Sequence, residues 1–226
     1  MHGRKPKPFN ARWSAELAYV VGLIATDGCL YRDGRHVDIT SKDIQLLETV
    51  KRCLNIEDKI SKKTGSEGRS AYHLQLTWTR FHQWLMTIGL TPAKSKTIGP
   101  LKIPDEFFVD FFRGVFDGDG SFYRYWDPRW RSSLMYYLCI CSASKKFLYF
   151  LRVRLRNLVG VQGALPKSKT SAYQLRYAKR ETEALISWMY YDINVPCLHR
   201  KREKIVNTIC GRGAIGTRVC LRCICP

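Results

Sequence analysis

Two aspartates, Asp27 and Asp119, each end an apolar stretch and are followed directly by a glycine. The stretches are AYVVGLIATDGCLYR (18–32) and FFRGVFDGDGSFYRY (111–125). Each pattern predicts an apolar helix followed by a strand, with Gly28 as the C′ residue of the first helix and Gly120 ending the second. A carboxylate in the last turn of a helix faces the negative end of the helix dipole, which is unfavourable.

Small residues predict that the two apolar helices pack closely against each other. A glycine inside a helix costs about 1 kcal/mol relative to alanine, and tight helix packing would offset this cost. Parallel packing would bring both carboxylates into a partly desolvated cleft, where like charges raise each other's pKa. A divalent cation would remove this repulsion, and carboxylate oxygens suit Mg²⁺. The small residues are Ala18, Gly22, Ala25, Gly114 and Gly118.

The charge balance predicts a polyanionic partner. The 226 residues include 38 Lys and Arg against 19 Asp and Glu, a formal net charge of +19. Because the positive charges are spread along a chain with 45% apolar residues, they favour nucleic acid on a broad folded surface over a basic tail. A merely basic globule or an anionic membrane surface is the alternative. No apolar run spans a membrane and no segment resembles a signal peptide, so we expect an intracellular protein, in the cytoplasm, nucleoid or an organelle matrix.

Nine cysteines suggest reduced thiols, because no secretion signal accompanies them. Four lie near the C-terminus, and Cys220 and Cys223 have the C-x-x-C spacing of zinc ligands. A second ligand pair is missing, so we interpret residues 210–226 as a terminus outside the core. The four are Cys210, Cys220, Cys223 and Cys225.

Aligning Asp27 with Asp119 shows that the chain repeats one unit. Each copy predicts helix, two strands, helix, two strands, helix, which is an α+β fold of two αββαββα halves. We predict a first half over 1–98, a linker over 99–103 and a second half over 104–209. In the first half, turns are expected at Asp33–Gly34 and near Gly65–Gly68. Its second helix is expected to bury Ile44, Leu47 and Val50, and in the second half Pro104 is expected to open the first helix.

The segments VVGLIATDG (20–28) and FRGVFDGDG (112–120) resemble the two signature motifs of single-chain LAGLIDADG homing endonucleases. The resemblance extends over about residues 11–209, since the order of elements also fits. It implies two halves related by a pseudo-twofold axis, packed through the motif helices in a monomer. It also implies two antiparallel sheets that form a saddle over double-stranded DNA.

The resemblance further implies the site residues and the reaction. Asp27 and Asp119 would be the catalytic metal ligands, with Thr26 and Gly118 beside them, and Mg²⁺ or Mn²⁺ would be the cofactor. Asp117 matches an earlier acidic motif position that does not bind the metal. Lys94 and Lys201 match basic catalytic positions, whereas Ser41 and Ser142 occupy positions that often hold Gln. The implied reaction is hydrolysis of one phosphodiester on each strand of a long asymmetric target, leaving short 3′ overhangs.

Strand alternation predicts which side chains face DNA. In HVDIT, for example, Val37 and Ile39 point to the core and their neighbours point out. Arg, Lys and Gln pair with base edges in the major groove. The predicted DNA-binding residues are Arg32, Arg35, His36, Asp38, Thr40, Ser41, Lys59, Ser61, Lys63, His73, Gln75, Thr77, Tyr123, Arg124, Ser142, Lys167, Gln174 and Arg176.

Two alternatives use the same scaffold. One is an RNA-binding intron maturase, for which the host intron RNA would be a partner. The other is a DNA-binding regulator that has lost the cleavage chemistry. Both would tolerate loss of an aspartate, whereas this chain keeps Asp27 and Asp119.

Overall fold

Helices α1 (Ala15–Asp27) and α4 (Phe108–Asp119) pack against each other in the middle of the structure, and each leads directly into a sheet. The computed structural model describes residues 9–64, 70–129, 134–166 and 172–209. Nine residues of each helix are buried, so both helices are covered around most of their circumference. This burial explains why α1 has no strong polar face, whereas α4 carries three polar residues, Asp110, Arg113 and Asp117, that are themselves buried.

In the first half, α1 is followed by a four-stranded antiparallel sheet in the order β1-β2-β4-β3. Helices cover the face that carries Val37, Ile39, Leu74 and Leu76, all of which are buried. The elements are β1 (Gly28–Leu30), β2 (His36–Ser41), α2 (Ile44–Leu54), β3 (Ile60–Thr64), β4 (Ser70–Thr77), α3 (Thr79–Thr87) and a 3-10 turn (Lys94–Lys96).

In the second half, α4 is followed by an antiparallel sheet in the order β5-β6-β7. An isolated bridge joins Ala164 to Arg176 on β7, with backbone hydrogen bonds of 2.7 and 2.8 Å. The elements are a 3-10 turn (Asp105–Phe107), α4, β5 (Gly120–Trp126), β6 (Leu134–Ser142), α5 (Lys145–Val159), β7 (Tyr173–Tyr177), α6 (Lys179–Met189) and α7 (His199–Ile209).

The predicted α+β class with two antiparallel sheets is confirmed, while some details differ. Within the described residues the second predicted hairpin of the second half is one strand and a bridge, and the predicted turn near Gly65–Gly68 lies outside them. The α-helix after Pro104 begins only at Phe108, because the first turn is 3-10. The boundaries at 98, 104 and 209 remain predictions.

Helix α2 buries a different set of residues from the one predicted. Leu47 and Val50 are buried as expected, but Ile44 is 42% exposed. Ile44 is the first residue of the helix, before the turn that packs on α1 and the sheet, and Leu46 takes its place in the core. The prediction for Ile44 was therefore wrong.

Gly28 and Gly120 do not adopt the left-handed C′ conformation predicted for Gly28. Their φ angles are −84° and −78°, so both are extended and already start a strand. A Cβ on Gly28 would lie 2.6 Å from Ile24 Cα, and a Cβ on Gly120 would lie 2.7 Å from Phe116 Cα. Glycine is needed here because the strand starts directly against the last helical turn.

None of the helices within 9–64, 70–129, 134–166 and 172–209 is long and apolar enough to cross a membrane. The five cysteines in these ranges are free thiols, as in a reduced protein. The C-terminal cysteines, with their C-x-x-C spacing, lie outside the described residues.

Candidate active site and nucleic-acid surface

Glycines set how closely α1 and α4 approach. A Cβ on Gly22 would overlap the carbonyl oxygen of Phe111 and lie 2.8 Å from the backbone nitrogen of Val115. A Cβ on Gly114 would in turn overlap the carbonyl oxygen of Tyr19. The two helices are therefore in backbone contact at this crossing, which is the close packing that the small residues predicted.

This packing brings the C-terminal ends of both helices together. A Cβ on Gly118 would lie 2.8 Å from Thr26 Cβ and 3.2 Å from the Oδ2 atom of Asp27. The carboxylate of Asp27 thus lies against the last turn of the opposite helix, next to Asp119. Since β1 starts at Gly28 and β5 at Gly120, both aspartates lie where a central helix meets its sheet.

Burial makes both carboxylates harder to ionise. Burial and, after it, the negative charge of Asp119 raise the pKa of Asp27 to about 6, against the opposing charges of Lys201 and Lys94. Burial also raises the pKa of Asp119, against the charges of the same two lysines. Two carboxylates and two ammonium groups therefore form one coupled electrostatic site.

Each lysine binds the end of the central helix in its own half. Lys94 is buried, and its Nζ atom donates to the carbonyl of Gly28. The Nζ atom of Lys201 lies 2.7 Å from the carbonyl oxygens of Phe116, Asp117 and Gly120 and 3.0 Å from that of Gly118. The two ammonium groups therefore neutralise the negative helix ends beside the aspartates.

Burial also lowers the pKa of both lysines, that of Lys201 to about 8. Lys201 is still mainly charged at neutral pH. The left-handed backbone of Ala93, with φ of 56°, directly precedes the turn that carries Lys94. A non-glycine residue in this conformation is uncommon, so the position of Lys94 depends on a specific backbone geometry.

Asp117 is a link between elements. It is 2% exposed, and its Oδ2 atom accepts hydrogen bonds from the Tyr19 hydroxyl at 2.8 Å and from the Leu198 N–H at 2.7 Å. Burial raises its pKa to about 6. Its Oδ1 atom is buried without a hydrogen-bond partner among the described residues. Asp117 joins α4 to α1 and to the start of α7, which carries Lys201.

The candidate cation donors are few. Among the described residues no group of three or more His, Cys, Asp or Glu side chains lies close enough to hold a metal ion. The hydroxyl of Thr26 donates to the Leu23 carbonyl at 3.0 Å, and the Gly118 carbonyl accepts from Lys201. Metal binding by Thr26 and Gly118 therefore stays a prediction, and Asp27 and Asp119 are the carboxylates that meet here.

The first sheet presents polar side chains on the face away from the helices, which we call the first contact face. Directly opposed pairs show the shared side: Asp38 opposes Gln75, Thr40 opposes His73, and His73 opposes Ser61. Lys59 precedes β3, and the exposed Arg32 and Arg35 lie at the β1–β2 turn. The predicted residues on the face itself are His36, Asp38, Thr40, Ser61, Lys63, His73, Gln75 and Thr77.

Asp38 lies on the first contact face but is covered by a neighbouring side chain. It points to the contact face as predicted, but it is only 5% exposed, because its Oδ1 atom lies 3.2 Å from Nδ1 of His73. Its carboxylate therefore positions His73 and is covered by it. A direct base contact by Asp38 is not supported by this arrangement.

The second contact face is the equivalent face of the β5-β6-β7 sheet. Tyr123 opposes Tyr137, and Arg176 opposes Cys139 on the same side, with Gln174 two residues away on β7. Arg124 was wrongly predicted on this face, because alternation places it on the opposite side, where it pairs with the buried Tyr136. Lys167 lies outside the described residues.

Ser41 and Ser142 serve the backbone in equivalent places. The hydroxyl of Ser41 accepts from the Asp43 N–H at 3.1 Å, and that of Ser142 accepts from the Ser144 N–H at 3.1 Å. Both serines thus shape the start of the helix that follows their strand. Ser41 opposes Tyr72 and Ser142 opposes Tyr173, so alternation places both serines on the helix side of their sheets and not on the contact faces as predicted.

Sequence reasoning missed Tyr125, Met135 and Tyr137 on the second contact face. Tyr125 opposes Met135 one pair along from the Tyr123–Tyr137 pair. The alternation in SFYRYW carried the signal for Tyr125, since it lies two residues after Tyr123. The long connection to β6 hid the register that adds Met135 and Tyr137.

Comparison with known proteins finds a family match in the first half of the chain. Residues 14–83 match the family model described as a LAGLIDADG-like domain. No curated protein matches the chain significantly in sequence. The match covers α1 and the sheet of the first half.

Solved structures share the fold over both halves. Full-length DUF199/WhiA from Thermatoga maritima is 16% identical, with a TM-score of 0.57 over 94% of this chain and 65% of that chain. The homing endonuclease I-WcaI bound to its DNA recognition sequence is 11% identical, with a TM-score of 0.58 over 90% of this chain and 95% of that one. I-DmoI in complex with DNA and Ca is 18% identical, with a TM-score of 0.52 over 78% and 89%.

Other I-DmoI structures were determined with DNA and Mn, or with target DNA in the presence of Mg. The chain spans less than two thirds of the full-length WhiA chain. At these identities the structural likeness shows the fold. Together with the family match, it shows a LAGLIDADG-like domain over residues 14–83 and the fold of these solved structures over both halves, each of which carries one glycine-packed helix ending in aspartate.

Proposed function

We propose that this chain is a site-specific endonuclease of double-stranded DNA that depends on Mg²⁺ or Mn²⁺. The observation that carries the proposal is the pair of carboxylates, the half-buried Asp27 and the more exposed Asp119, brought together at the ends of the two packed helices. Burial and mutual repulsion raise the pKa of Asp27 to about 6, which costs stability that a bound cation would recover. The two sheets that start at this point supply contact faces for a duplex, and a net charge of +19 favours DNA there.

The carboxylate oxygens fit a hard divalent cation, whose ligands are typically oxygens. Asp27 and Asp119 would hold it, and when bound it would supply Lewis-acid stabilisation of the charge that develops on the phosphoryl group. Lys94 and Lys201 offset the partial negative charge of the helix ends beside the site. Because Lys201 is mainly charged at neutral pH, it acts electrostatically and not as a general base.

The reaction is hydrolysis of one phosphodiester on each strand. Water forms a new P–O bond and the P–O3′ bond breaks, so the 3′ oxygen leaves as a hydroxyl and the phosphate stays on the 5′ end. We further propose that cleavage leaves short 3′ overhangs. The target is proposed to be long and asymmetric, because the two contact faces differ in sequence. A monomer suffices, because one chain supplies both aspartates.

The test combines a random-sequence duplex library with Mg²⁺ and compares the wild type with Asp27→Asn and Asp119→Asn. We expect each variant to lose double-strand cleavage at least 100-fold while it still binds the selected duplex, because the substitutions remove charge without removing volume. Glu57→Gln is the matched control, since the Glu57 side chain is 99% exposed on the α2–β3 connection, and it should cleave as the wild type does.

Cleavage by either Asn variant at the wild-type rate would contradict the site assignment. Specific duplex binding without cleavage in any divalent metal would instead favour the DNA-binding regulator. Specific binding of RNA alone would favour the maturase.

A further inference from the structure

The two contact faces differ in chemistry. The first carries mainly hydrogen-bonding groups, such as His73, Gln75 and Lys63. The second is aromatic towards the end of the sheet that lies away from Asp119. There Tyr123 and Tyr125 on β5 stand opposite Tyr137 and Met135 on β6.

The three tyrosines form a stack, which we call the tyrosine cluster. The rings of Tyr123 and Tyr137 are 5.4 Å apart with an interplanar angle of 18°. The rings of Tyr125 and Tyr137 are 6.1 Å apart and nearly parallel, at 2°. The guanidinium carbon of Arg176 lies 5.8 Å from the Tyr137 ring centre. Tyr125 is nevertheless 41% exposed.

The cluster is already stacked within the sheet, because Tyr137 stacks with both other rings. A ring stacked in this way offers its apolar edge to a ligand. Edges suit groups that project from a groove better than they suit unpaired bases, which stack on open ring faces.

We propose that the tyrosine cluster reads thymine methyl groups in the half of the target that lies against the second sheet. In the major groove the thymine C5 methyl is the apolar group that a base pair presents, and apolar side chains recognise it. The first contact face, by contrast, reads its half through hydrogen bonds. This inference rests on the proposed function only in that the chain must bind duplex DNA, and it does not require cleavage.

The experiment uses a duplex selected by the full chain from a random library. Each thymine is replaced in turn by deoxyuridine, which removes only the methyl group, and the Kd is measured. Burial of one methylene-sized group is worth about 0.8 kcal/mol, so we expect about a fourfold weaker Kd at each methyl that the cluster contacts. These positions should lie in one half of the target.

Variants then tie the effect to the cluster. Tyr125→Ala should abolish the sensitivity to deoxyuridine at one or more positions, whereas Tyr125→Phe should keep it, because the ring edge remains. Trp126→Ala is the matched control. Trp126 is 55% exposed on the same strand, but it pairs with Leu134 on the opposite face, so its loss should leave the deoxyuridine profile unchanged.

Several results would overturn the inference. One is a wild-type Kd that does not change with deoxyuridine in either half of the target. Another is a Tyr125→Phe variant whose Kd is as insensitive to deoxyuridine as that of Tyr125→Ala. The third is tighter, Tyr125-dependent binding of single-stranded RNA or DNA, which would assign the cluster to base stacking. If the protein cleaves DNA but its Kd does not change with deoxyuridine at any position, this inference alone is contradicted. If the Kd changes with deoxyuridine in one half but no cleavage occurs, only the proposed nuclease activity is contradicted. An absence of duplex binding would contradict both proposals.

Discussion

The folded protein holds the Asp27 carboxylate in surroundings that disfavour its ionised form. Burial is the largest cause, the charge of Asp119 adds to it, and the lysines only partly compensate. The pKa of the folded state, about 6, lies above the ordinary value of 3.8. In the absence of a cation, the protonated form of Asp27 is therefore the one that folding favours.

We therefore predict that the metal-free protein loses stability as the pH rises. Below about pH 4 Asp27 is protonated in both states and contributes nothing, and between about pH 4 and pH 6 only the unfolded state ionises. The free energy of unfolding should fall across this window by up to about 3 kcal/mol, at 1.36 kcal/mol per pKa unit, and then level off. Urea unfolding in EDTA, followed from pH 4 to pH 7.5, measures it.

Asp27→Asn is the control, since it cannot ionise and should show a smaller fall over the same window. Addition of Mg²⁺ should restore stability mainly at the upper end. A wild-type curve that rises between pH 4 and pH 6 and is unaffected by Mg²⁺ would show that the carboxylates are neither buried nor coupled as described.

At this scale the sequence predicted the positions of the two motif aspartates better than those of the surrounding residues. Asp27 and Asp119 could be found because the carboxylate, the glycine after it and the apolar run before it form one local pattern. Arg124 was placed on the wrong face, since alternation identifies a face only once the strand register is known. Asp38 was placed on the correct face, but alternation does not show that a neighbouring side chain covers it. His73 covers Asp38, and the Arg124–Tyr136 pairing lies across a connection of uncertain length in sequence.

At the scale of elements, the structure depends on the α1–α4 crossing. Ordinarily a glycine-to-alanine change inside a helix gains about 1 kcal/mol. At Gly22 and Gly114 the added Cβ would meet backbone atoms of the facing helix, which cannot rotate away.

We predict that Gly22→Ala and Gly114→Ala each lower the free energy of unfolding by about 3 kcal/mol, the upper end of the range for overpacking. Chemical denaturation gives the value directly. Gly99→Ala is the comparison, because a Cβ there would meet nothing within 4 Å, and it should be within about 0.5 kcal/mol of the wild type. Equal stability of all three variants would mean that the helices are not in backbone contact.

Gly28 and Gly120 show why element ends are harder to predict than elements. A glycine after a helix signals an unusual backbone requirement, and a left-handed C′ residue is the common one. A tight approach of a strand to the last helical turn leaves the same signal in sequence. The φ angles of −84° and −78° distinguish the two cases, and only coordinates supply them.

At the scale of the whole molecule, the charge of +19 determines how strongly the proposed binding of DNA should depend on salt. For a protein with 6–10 phosphate contacts, affinity falls by roughly 10³–10⁵ between 50 and 200 mM salt. We expect a loss in this range for duplex binding.

Two neighbouring lysines on β3 test where the contacts lie. Lys63 is on the first contact face, whereas Lys62 pairs with Tyr72 on the other side of the same strand. Lys63→Ala should reduce the slope of log K against log salt by about 1, and Lys62→Ala should leave it unchanged. The reverse order would place the duplex on the helical side of the sheet.

The twofold repeat was also predictable at this scale, because the order of elements recurs around two similar motifs. The arrangement of α7 was not. Its first turn is held by α2 of the other half, through the Arg200–Asp43 ion pair at 2.8 Å and through Gln45, which bonds to the Cys197 carbonyl and the His199 N–H.

Because α7 also carries Lys201, this anchoring ties the surroundings of Asp119 to the integrity of the first half. Loosening α2 would shift the ammonium group beside Asp119. Under the proposed function, damage to the first half should therefore impair both strand breaks, and a nicked intermediate should rarely accumulate from such a molecule.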